Sequence, residues 1–219
     1  MTTPNIVLSG FGLFGPYRAN SSAQVATALN NKRLGQFHVH SRIFPATIPT
    51  INENRPLILL KEAKRLRAKA IIILGMSSNV PGPQVETHAI NKIGGKYCPQ
   101  TEGSPVNFLC QSNLEFIIDI ENWRYDLFEQ GCREIGHHVK QSQDVSMFCC
   151  NHLMFNMIIT RVGQPKRFGK IPWIFIHLPC TREAVPKPTP VEFLNGQKIT
   201  MTVAEIVACL EILVGVADI

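Results

Sequence analysis

The chain has 219 residues, of which 45% are hydrophobic and 17% charged, and its formal net charge is +6. A chain of this length and apolar content can bury one sizeable core, so we expect a single domain over residues 1–219 and not a disordered protein. The basic residues are scattered, and the densest stretch, residues 61–69, fits the solvated face of a helix. The charge therefore does not predict a nucleic-acid partner.

The amino terminus lacks a basic segment followed by a long apolar run, and no later apolar run is long enough to cross a bilayer. We therefore expect a cytoplasmic protein that does not associate with membranes. Its seven cysteines are an odd number without a CxxC pair, which indicates reduced thiols and not a disulfide framework. His137 and His138 form the tightest histidine pair, but no third ligand stands at a usual spacing, so no metal is expected.

The predicted elements alternate between strand and helix along the chain. Apolar runs, capping residues and breakers predict, in order, a strand at 5–9, a helix at 20–29, a strand at 37–44 and a helix at 57–67. A buried strand at 68–74 follows, then a short strand at 87–91, a helix at 122–136, a strand at 138–142, a helix at 148–161, a strand at 173–178 and a helix at 203–216. This alternation predicts a three-layer α/β/α sandwich with a mostly parallel, twisted sheet.

The segment Gly10–Gly15 follows the first strand and matches the dinucleotide pattern GxGxxG. Pro16 follows the third glycine, however, and no acidic residue occurs before Glu53 to bind a ribose, although Arg42 leaves a phosphorylated ribose as an alternative. The aromatic side chains of Phe11 and Phe14 suit a flat neutral ring better than a pyrophosphate. The alternative that both rings belong to the core remains open.

Three residues at predicted element ends have the chemistry of a catalytic triad. Cys150 lies in the predicted first turn of a helix, where the backbone N–H groups and the helix dipole favour a thiolate. His177 ends the last apolar strand, where it could accept the thiol proton and return it to a leaving amine. Glu86, predicted in a loop, could orient the imidazole.

Each of these three residues also has an ordinary structural interpretation, as a buried thiol, a core histidine or a solvated carboxylate. Other residues compete on composition alone. Cys149 is adjacent to Cys150 but is predicted to point to another side of the helix, and Cys180 lacks a helix start to activate it. His88 and His152 lie close in sequence to Glu86 and Cys150.

Four segments of the chain, in the same order, resemble motifs of the pyrrolidone-carboxylate peptidases, also called pyroglutamyl peptidase I. The segment SGFGLFGPYRANSS resembles TGFxPFGG…NPS, ETHAIN resembles ERVAIN, SQDVSMFCCN resembles SxxAGTFVCN, and FIHLP resembles FIHVP. The resemblance implies a hydrolase-type α/β fold, a homotetramer, no cofactor, and cysteine-dependent cleavage after an N-terminal pyroglutamyl residue.

Carried over position by position, the resemblance makes Glu86, Cys150 and His177 the catalytic triad. It also implies a substrate pocket in which aromatic rings hold the lactam and polar or backbone groups bind it. The residues implied for this pocket are Phe11, Phe14, Asn20, Met76 and Lys96. Pyroglutamate carries no ammonium group, so a pocket with apolar faces and no acidic anchor agrees with its chemistry.

The chain also departs from the family motifs. Thr87 stands where the family has arginine after the glutamate, and Lys96 replaces an arginine near the active site, so a planar multi-donor contact is lost. Residues 145–147 read VSM in place of AGT. These departures leave an alternative open, a divergent homologue that binds a lactam or a peptide N-terminus with little turnover.

Overall fold

A seven-stranded sheet forms the centre of the computed structural model, which describes residues 3–49, 53–94, 106, 114–143, 148–185, 193–194, 197–198 and 201–219. The strands, in chain order, are β1 Asn5–Phe11, β2 Arg33–Leu34, β3 Phe37–Phe44, β4 Ala70–Met76, β5 Gln84–Glu86, β6 His88–Ile90, β7 Glu115–Ile117, β8 Lys140–Ser142, β9 Trp173–Leu178, β10 Phe193–Leu194 and β11 Gln197–Lys198. The order in the main sheet is β2-β3-β1-β4-β9-β5-β8, while β6 pairs with β7 and β10 with β11 in two small ribbons.

Most neighbours in the main sheet run parallel. The parallel pairs are β1 with β3, β1 with β4, β4 with β9, and β5 with β8. Two pairs are antiparallel: the edge strand β2 with β3, and β5 with β9. The predicted mostly parallel α/β sheet is therefore confirmed.

Helices cover both faces of this sheet. The helices are α1 Ser21–Leu29, α2 Arg55–Leu66, α3 Tyr125–Glu134, α4 Cys149–Gly163, α5 Pro165–Phe168 and α6 Val203–Val216, and a 3₁₀ turn spans Glu121–Trp123. Helices α1, α3 and α6 supply buried side chains to one core cluster, and α2, α4 and α5 supply them to a second cluster on the opposite face. The three layers predicted from the alternation of elements are thus present.

Side chains of the central strands alternate between the two clusters, as the period of a strand requires. In β9, Ile174 and Ile176 belong to the cluster that α1, α3 and α6 cover, which we call the α1 cluster, whereas Trp173 and Phe175 belong to the cluster that α2, α4 and α5 cover. We call the side of the sheet that is covered by α2, α4 and α5 the α4 face. His177 follows Phe175 by two residues, so it projects from the α4 face as well.

Local sequence explains where several helices begin. Asn20 caps α1, since its side chain accepts a hydrogen bond from the Ser22 N–H, and Asn54 caps α2 ahead of Pro56 in its first turn. Thr202 and Glu205 form a reciprocal capping box at the start of α6.

The structure corrects one sequence prediction in the segment around Glu86 and confirms another. Glu86, predicted in a loop, is the last residue of β5, which pairs with both β9 and β8 in the main sheet. The short strand predicted at 87–91 is β6, which lies outside that sheet and pairs with β7. In the described part of the chain, no helix is both long and apolar enough to span a bilayer.

Candidate active site

A buried hydrogen bond joins His177 to Glu86 on the α4 face. The Nδ1 atom of His177 donates to Oε1 of Glu86 across 2.6 Å, and both side chains are almost completely shielded from solvent. A short hydrogen bond between an imidazole and a buried carboxylate fixes the ring orientation and leaves Nε2 to exchange a proton with another group. The structure thus joins the two side chains by a hydrogen bond, and their roles as base and orienting carboxylate stay predictions.

The antiparallel pairing of β5 with β9 brings these two residues together. Gln84 lies opposite His177 and Val85 lies opposite Ile176 in this register. Val85 belongs to the α1 cluster, so its neighbour Glu86 projects from the α4 face, as His177 does. Two strands far apart in sequence thus place a carboxylate and an imidazole on the same side of the sheet.

Cys150 lies in the first turn of α4, as the sequence predicted. Its side chain is 7% exposed and belongs to the core cluster between α4 and the α4 face of the sheet. Backbone N–H groups in a first helical turn have no partner within the helix, so they can stabilise a developing negative charge. The thiol, imidazole and carboxylate therefore belong to one side of the sheet.

The surroundings of the Cys150 thiol disfavour its ionised form. A hydrogen bond with Cys149, burial, and repulsion by the Glu86 carboxylate raise the pKa of Cys150 well above its ordinary value. Cys149 is itself buried in the same cluster.

Aromatic rings lie next to the first turn of α4. The ring of Phe14 stacks on Tyr17, with 6.0 Å between ring centroids, and packs at 5.0 Å against Phe148, the residue that caps α4. The rings of Phe14, Tyr17 and Phe148 form what we call the aromatic wall. Phe14 is partly exposed and so can contact a ligand. Sequence reasoning found Phe14 but missed Tyr17 and Phe148, because only folding brings position 148 beside the glycine loop.

Phe11, the other predicted pocket residue, is 2% exposed at the end of β1. It lies in the same core cluster as Cys150 and Phe44. Its ring therefore belongs to the core, and a direct contact with a ligand stays a prediction.

Asn20 holds the glycine loop in place. Its Nδ2 donates to the Gly12 carbonyl across 2.8 Å, while its Oδ1 accepts from the backbone N–H and the hydroxyl of Ser22. Met76 ends β4 beside this loop, and its sulfur accepts a hydrogen bond from the Ser21 N–H. The structure thus gives both residues positions next to the glycine loop, and their contacts with a substrate stay predictions.

Thr87 takes a structural position immediately after Glu86. Its backbone N–H and its hydroxyl both donate to the Ser142 carbonyl, at 2.9 and 2.8 Å. These bonds tie the chain after Glu86 to the end of β8. Lys96 and the segment 145–147 lie outside the described residues.

The glycine loop does not have the geometry of a dinucleotide site. Helix α1 begins at Ser21, six residues after Gly15, whereas a Rossmann helix opens at its glycines. Arg42, considered as a phosphate ligand, forms an ion pair with Glu62. No group of three metal-ligating side chains occurs among the described residues.

Two competing residues have surroundings unlike those of Cys150 and His177. Cys180 lies in a separate cluster with Ala184 and Val185, and burial raises the pKa of its thiol to about 11. Burial, aided by the charge of Arg55, lowers the pKa of His152 to about 4, so this ring stays neutral at ordinary pH and is a weak base.

Comparisons with known proteins agree with the motifs. No protein-family model matches the chain. The pyrrolidone-carboxylate peptidase of Bacillus cereus (strain G9842) is 24% identical over 192 residues, which cover 83% of this chain and 81% of that protein.

Solved structures with the same fold include the pyrrolidone carboxyl peptidase from Thermococcus litoralis, with a TM-score of 0.74 and 20% identity over 98% of this chain and 93% of that one. They also include pyroglutamyl peptidase I from Bacillus amyloliquefaciens, with a TM-score of 0.76 and 18% identity over 100% of this chain and 96% of that one. The resemblance found in the motifs is thus confirmed, and the chain is a distant relative of the pyrrolidone-carboxylate peptidases that shares their fold.

Proposed function

We propose that the protein is a cysteine peptidase that hydrolyses the amide bond after an N-terminal pyroglutamyl residue. The observation that carries this proposal is the buried 2.6 Å hydrogen bond between His177 and Glu86, on the sheet face where Cys150 begins α4. A nucleophile, a base and a carboxylate that orients the base are the groups that acyl transfer requires.

In the first half of the reaction, Nε2 of His177 accepts the Cys150 proton as the sulfur attacks the carbonyl carbon of the pyroglutamyl residue. The tetrahedral intermediate collapses, the C–N bond breaks, and the imidazolium returns the proton to the leaving amine. A thioester between the pyroglutamyl group and Cys150 remains. Glu86 stabilises the imidazolium throughout, since its oxygen accepts from Nδ1.

In the second half, His177 takes a proton from water, and the resulting hydroxide adds to the thioester carbonyl. The C–S bond then breaks, the proton passes to the sulfur, and free pyroglutamate leaves. Backbone N–H groups in the first turn of α4 can stabilise the oxyanion in both halves, because they have no hydrogen-bond partner within the helix. A nearby cation would add to this stabilisation, and Lys96 is the residue we propose for it.

The aromatic wall supports the choice of substrate. A lactam is flat, neutral and without an ammonium group, so partly exposed rings suit it and an acidic anchor is unnecessary. We propose that Phe14 contacts the lactam ring, with Phe11 behind it. Asn20 and the backbone at Met76 complete the pocket and shape its polar edge.

Free thiols support a reducing location. Cys132, Cys149, Cys150, Cys180 and Cys209 are all unpaired and buried among the described residues. We therefore propose that the peptidase works in the cytoplasm, where it requires no cofactor. The family resemblance also suggests a homotetramer, which light scattering would reveal as four times the 24.5 kDa of one chain.

Release of a fluorescent amine from a pyroglutamyl amide tests the activity. We expect turnover by the parent protein, inhibition by iodoacetamide, and loss of turnover in Cys150→Ala. Cys180→Ala serves as the matched control and should retain activity, since that thiol is buried in a separate cluster. An alanyl amide tests specificity for the lactam.

Two results would contradict the proposal. Equal activity of the Cys150→Ala variant and the parent would remove the nucleophile assignment. A silent parent that is stabilised by free pyroglutamate in a thermal shift assay would instead identify a binding protein, the divergent homologue considered from the sequence.

A further inference from the structure

Asn151, the residue after the proposed nucleophile, has a fully buried side chain whose hydrogen bonds go to a segment outside its own helix. Its Oδ1 accepts from the Ile90 N–H across 2.9 Å, and its Nδ2 donates to the carbonyls of Ile90 and Lys92, each across 2.8 Å. Both amide protons are therefore used. The amide pairs with Ile90 as a neighbouring strand would, at the inner edge of β6.

The segment to which Asn151 is hydrogen-bonded follows Glu86 closely in the sequence. The backbone of β6 starts two residues beyond Glu86, and the intervening Thr87 is fixed to Ser142 by two hydrogen bonds. We call the three hydrogen bonds from Asn151 to Ile90 and Lys92 the amide clamp. The chain between the Glu86 carboxylate and this clamp therefore has little freedom to shift. Cys150 is one residue before Asn151, and Glu86 is four residues before Ile90. The hydrogen bonds between Asn151 and Ile90 therefore connect the segment that carries the thiol with the segment that carries the carboxylate.

We propose that Asn151 is a positioning residue, which holds the first turn of α4 so that the Cys150 sulfur is aligned with the Glu86–His177 pair. It touches no reacting atom. This inference rests on the proposed peptidase function, and it adds a residue that acts through the backbone of β6. A displacement of about 1 Å between reacting groups can cost about a hundredfold in rate, so a clamp at this place has a large effect.

The helix offers a matched control. Asn156 also lies in α4, but its amide donates to the carbonyl of His152, within the same helix. Asn151→Ala removes the hydrogen bonds to β6, whereas Asn156→Ala removes an amide of the same type that joins no other segment in the described part of the chain.

Two measurements test the inference on variants that circular dichroism shows to be folded. The first is the rate of Cys150 alkylation by iodoacetamide against pH, with the labelled site identified by peptide mapping. The second is turnover of the pyroglutamyl amide. For Asn151→Ala we expect kcat to fall about a hundredfold with KM changed less than about threefold, and the alkylation profile to change shape. Asn156→Ala should match the parent in both assays.

Asn151→Asp tests the same idea if the alanine variant fails to fold. A protonated carboxyl can still accept from the Ile90 N–H and donate to one carbonyl, whereas an ionised carboxylate faces two carbonyl oxygens and repels them. The alkylation rate of this variant relative to the parent should therefore be highest at low pH and fall as the pH rises.

Reduced melting temperature with unchanged kcat and an unchanged alkylation profile would show that Asn151 serves stability alone, and would overturn the inference. Alkylation needs no substrate. A parent protein without peptidase activity would therefore refute the proposed function and still allow the alkylation profiles to support or reject the clamp.

Discussion

The imidazole of His177 lies directly over the α-carbon of Gly75 on the neighbouring strand. A β-carbon built on Gly75 would approach His177 Cδ2 to 2.7 Å and Nε2 to 3.0 Å. Gly75 pairs with His177 in the register of β4 and β9. The missing side chain at position 75 thus makes room for the ring that we propose as the catalytic base.

Replacing Gly75 with alanine should move the His177 ring and weaken catalysis. We expect kcat for the pyroglutamyl amide to fall about a hundredfold, because the ring must shift away from the added methyl group. Gly215→Ala is the control, since nothing lies within 4 Å of a β-carbon there. This helical glycine should gain about 0.5–1 kcal/mol of stability as alanine, with activity unchanged. Parent-like kcat in Gly75→Ala would show that the ring position is not critical.

Glu86→Gln keeps the shape of the side chain but removes the charge that stabilises the imidazolium. We expect kcat to fall by about a thousandfold or more, as for the loss of an orienting carboxylate in other triads. The exposed Glu115→Gln is the control. Steady-state kinetics decide the point, and a loss below about tenfold would argue that the Glu86–His177 bond serves the fold and not the reaction.

Cys149→Val should make Cys150 more reactive. The hydrogen bond that the Cys150 thiol donates to the sulfur of Cys149 is the largest influence that raises the pKa of Cys150, so its removal lowers that pKa. A lower pKa gives more thiolate at a fixed pH below it, by about tenfold for each unit. The iodoacetamide profile of Cys150 should therefore move to lower pH. Valine has a similar volume and keeps the core filled. A profile that moves to higher pH would contradict this assignment of the hydrogen bond.

Phe14→Ala removes the partly exposed ring of the aromatic wall. We expect KM to rise about tenfold with a smaller change in kcat, because an aromatic contact of about 1.5 kcal/mol is lost from substrate binding. Leu13→Ala is the control on the same loop, where the side chain is 69% exposed. Equal kinetics for Phe14→Ala and the parent would place the lactam elsewhere.

His152 should make the protein less stable at acid pH. Its pKa is about 4 in the folded protein against 6.5 for an unperturbed histidine, so the unfolded chain binds the extra proton first. Stability is therefore complete above about pH 6.5 and falls toward pH 4, by up to about 3 kcal/mol. Urea unfolding of His152→Gln at pH 7.5 and 4.5 should show a smaller acid loss than the parent. The exposed His138→Gln should keep the full acid loss, and an identical loss in His152→Gln would refute the prediction.

Strong local patterns predicted much of the fold. The strand at 173–178 and the helix at 203–216 coincide with β9 and α6, because one is a continuous apolar run and the other has an apolar pattern at helical spacing. Strands β5 and β7 have three residues each and carry no such pattern. They are strands because partners from distant parts of the chain bind their edges, which local sequence does not encode.

The residues of the candidate site also divide into those that local sequence predicts and those that it does not. Cys150 and His177 could be found because their chemistry stands at the ends of recognisable elements. Asn151 and Phe148 could not be distinguished from ordinary helix residues, since their roles depend on which segments fold beside them. Asn20 was predicted for the substrate, and the structure shows it bound to the Gly12 carbonyl and to Ser22.

The antiparallel pairing of β5 with β9 limits where residues can be inserted or deleted in related chains. Successive residues of a strand point to opposite sides, so one residue inserted or deleted within 84–86 would turn the carboxylate away from the imidazole. A change of length in the preceding loop carries no such parity requirement. Among related sequences, gaps should therefore gather before position 84 and avoid the three residues that follow.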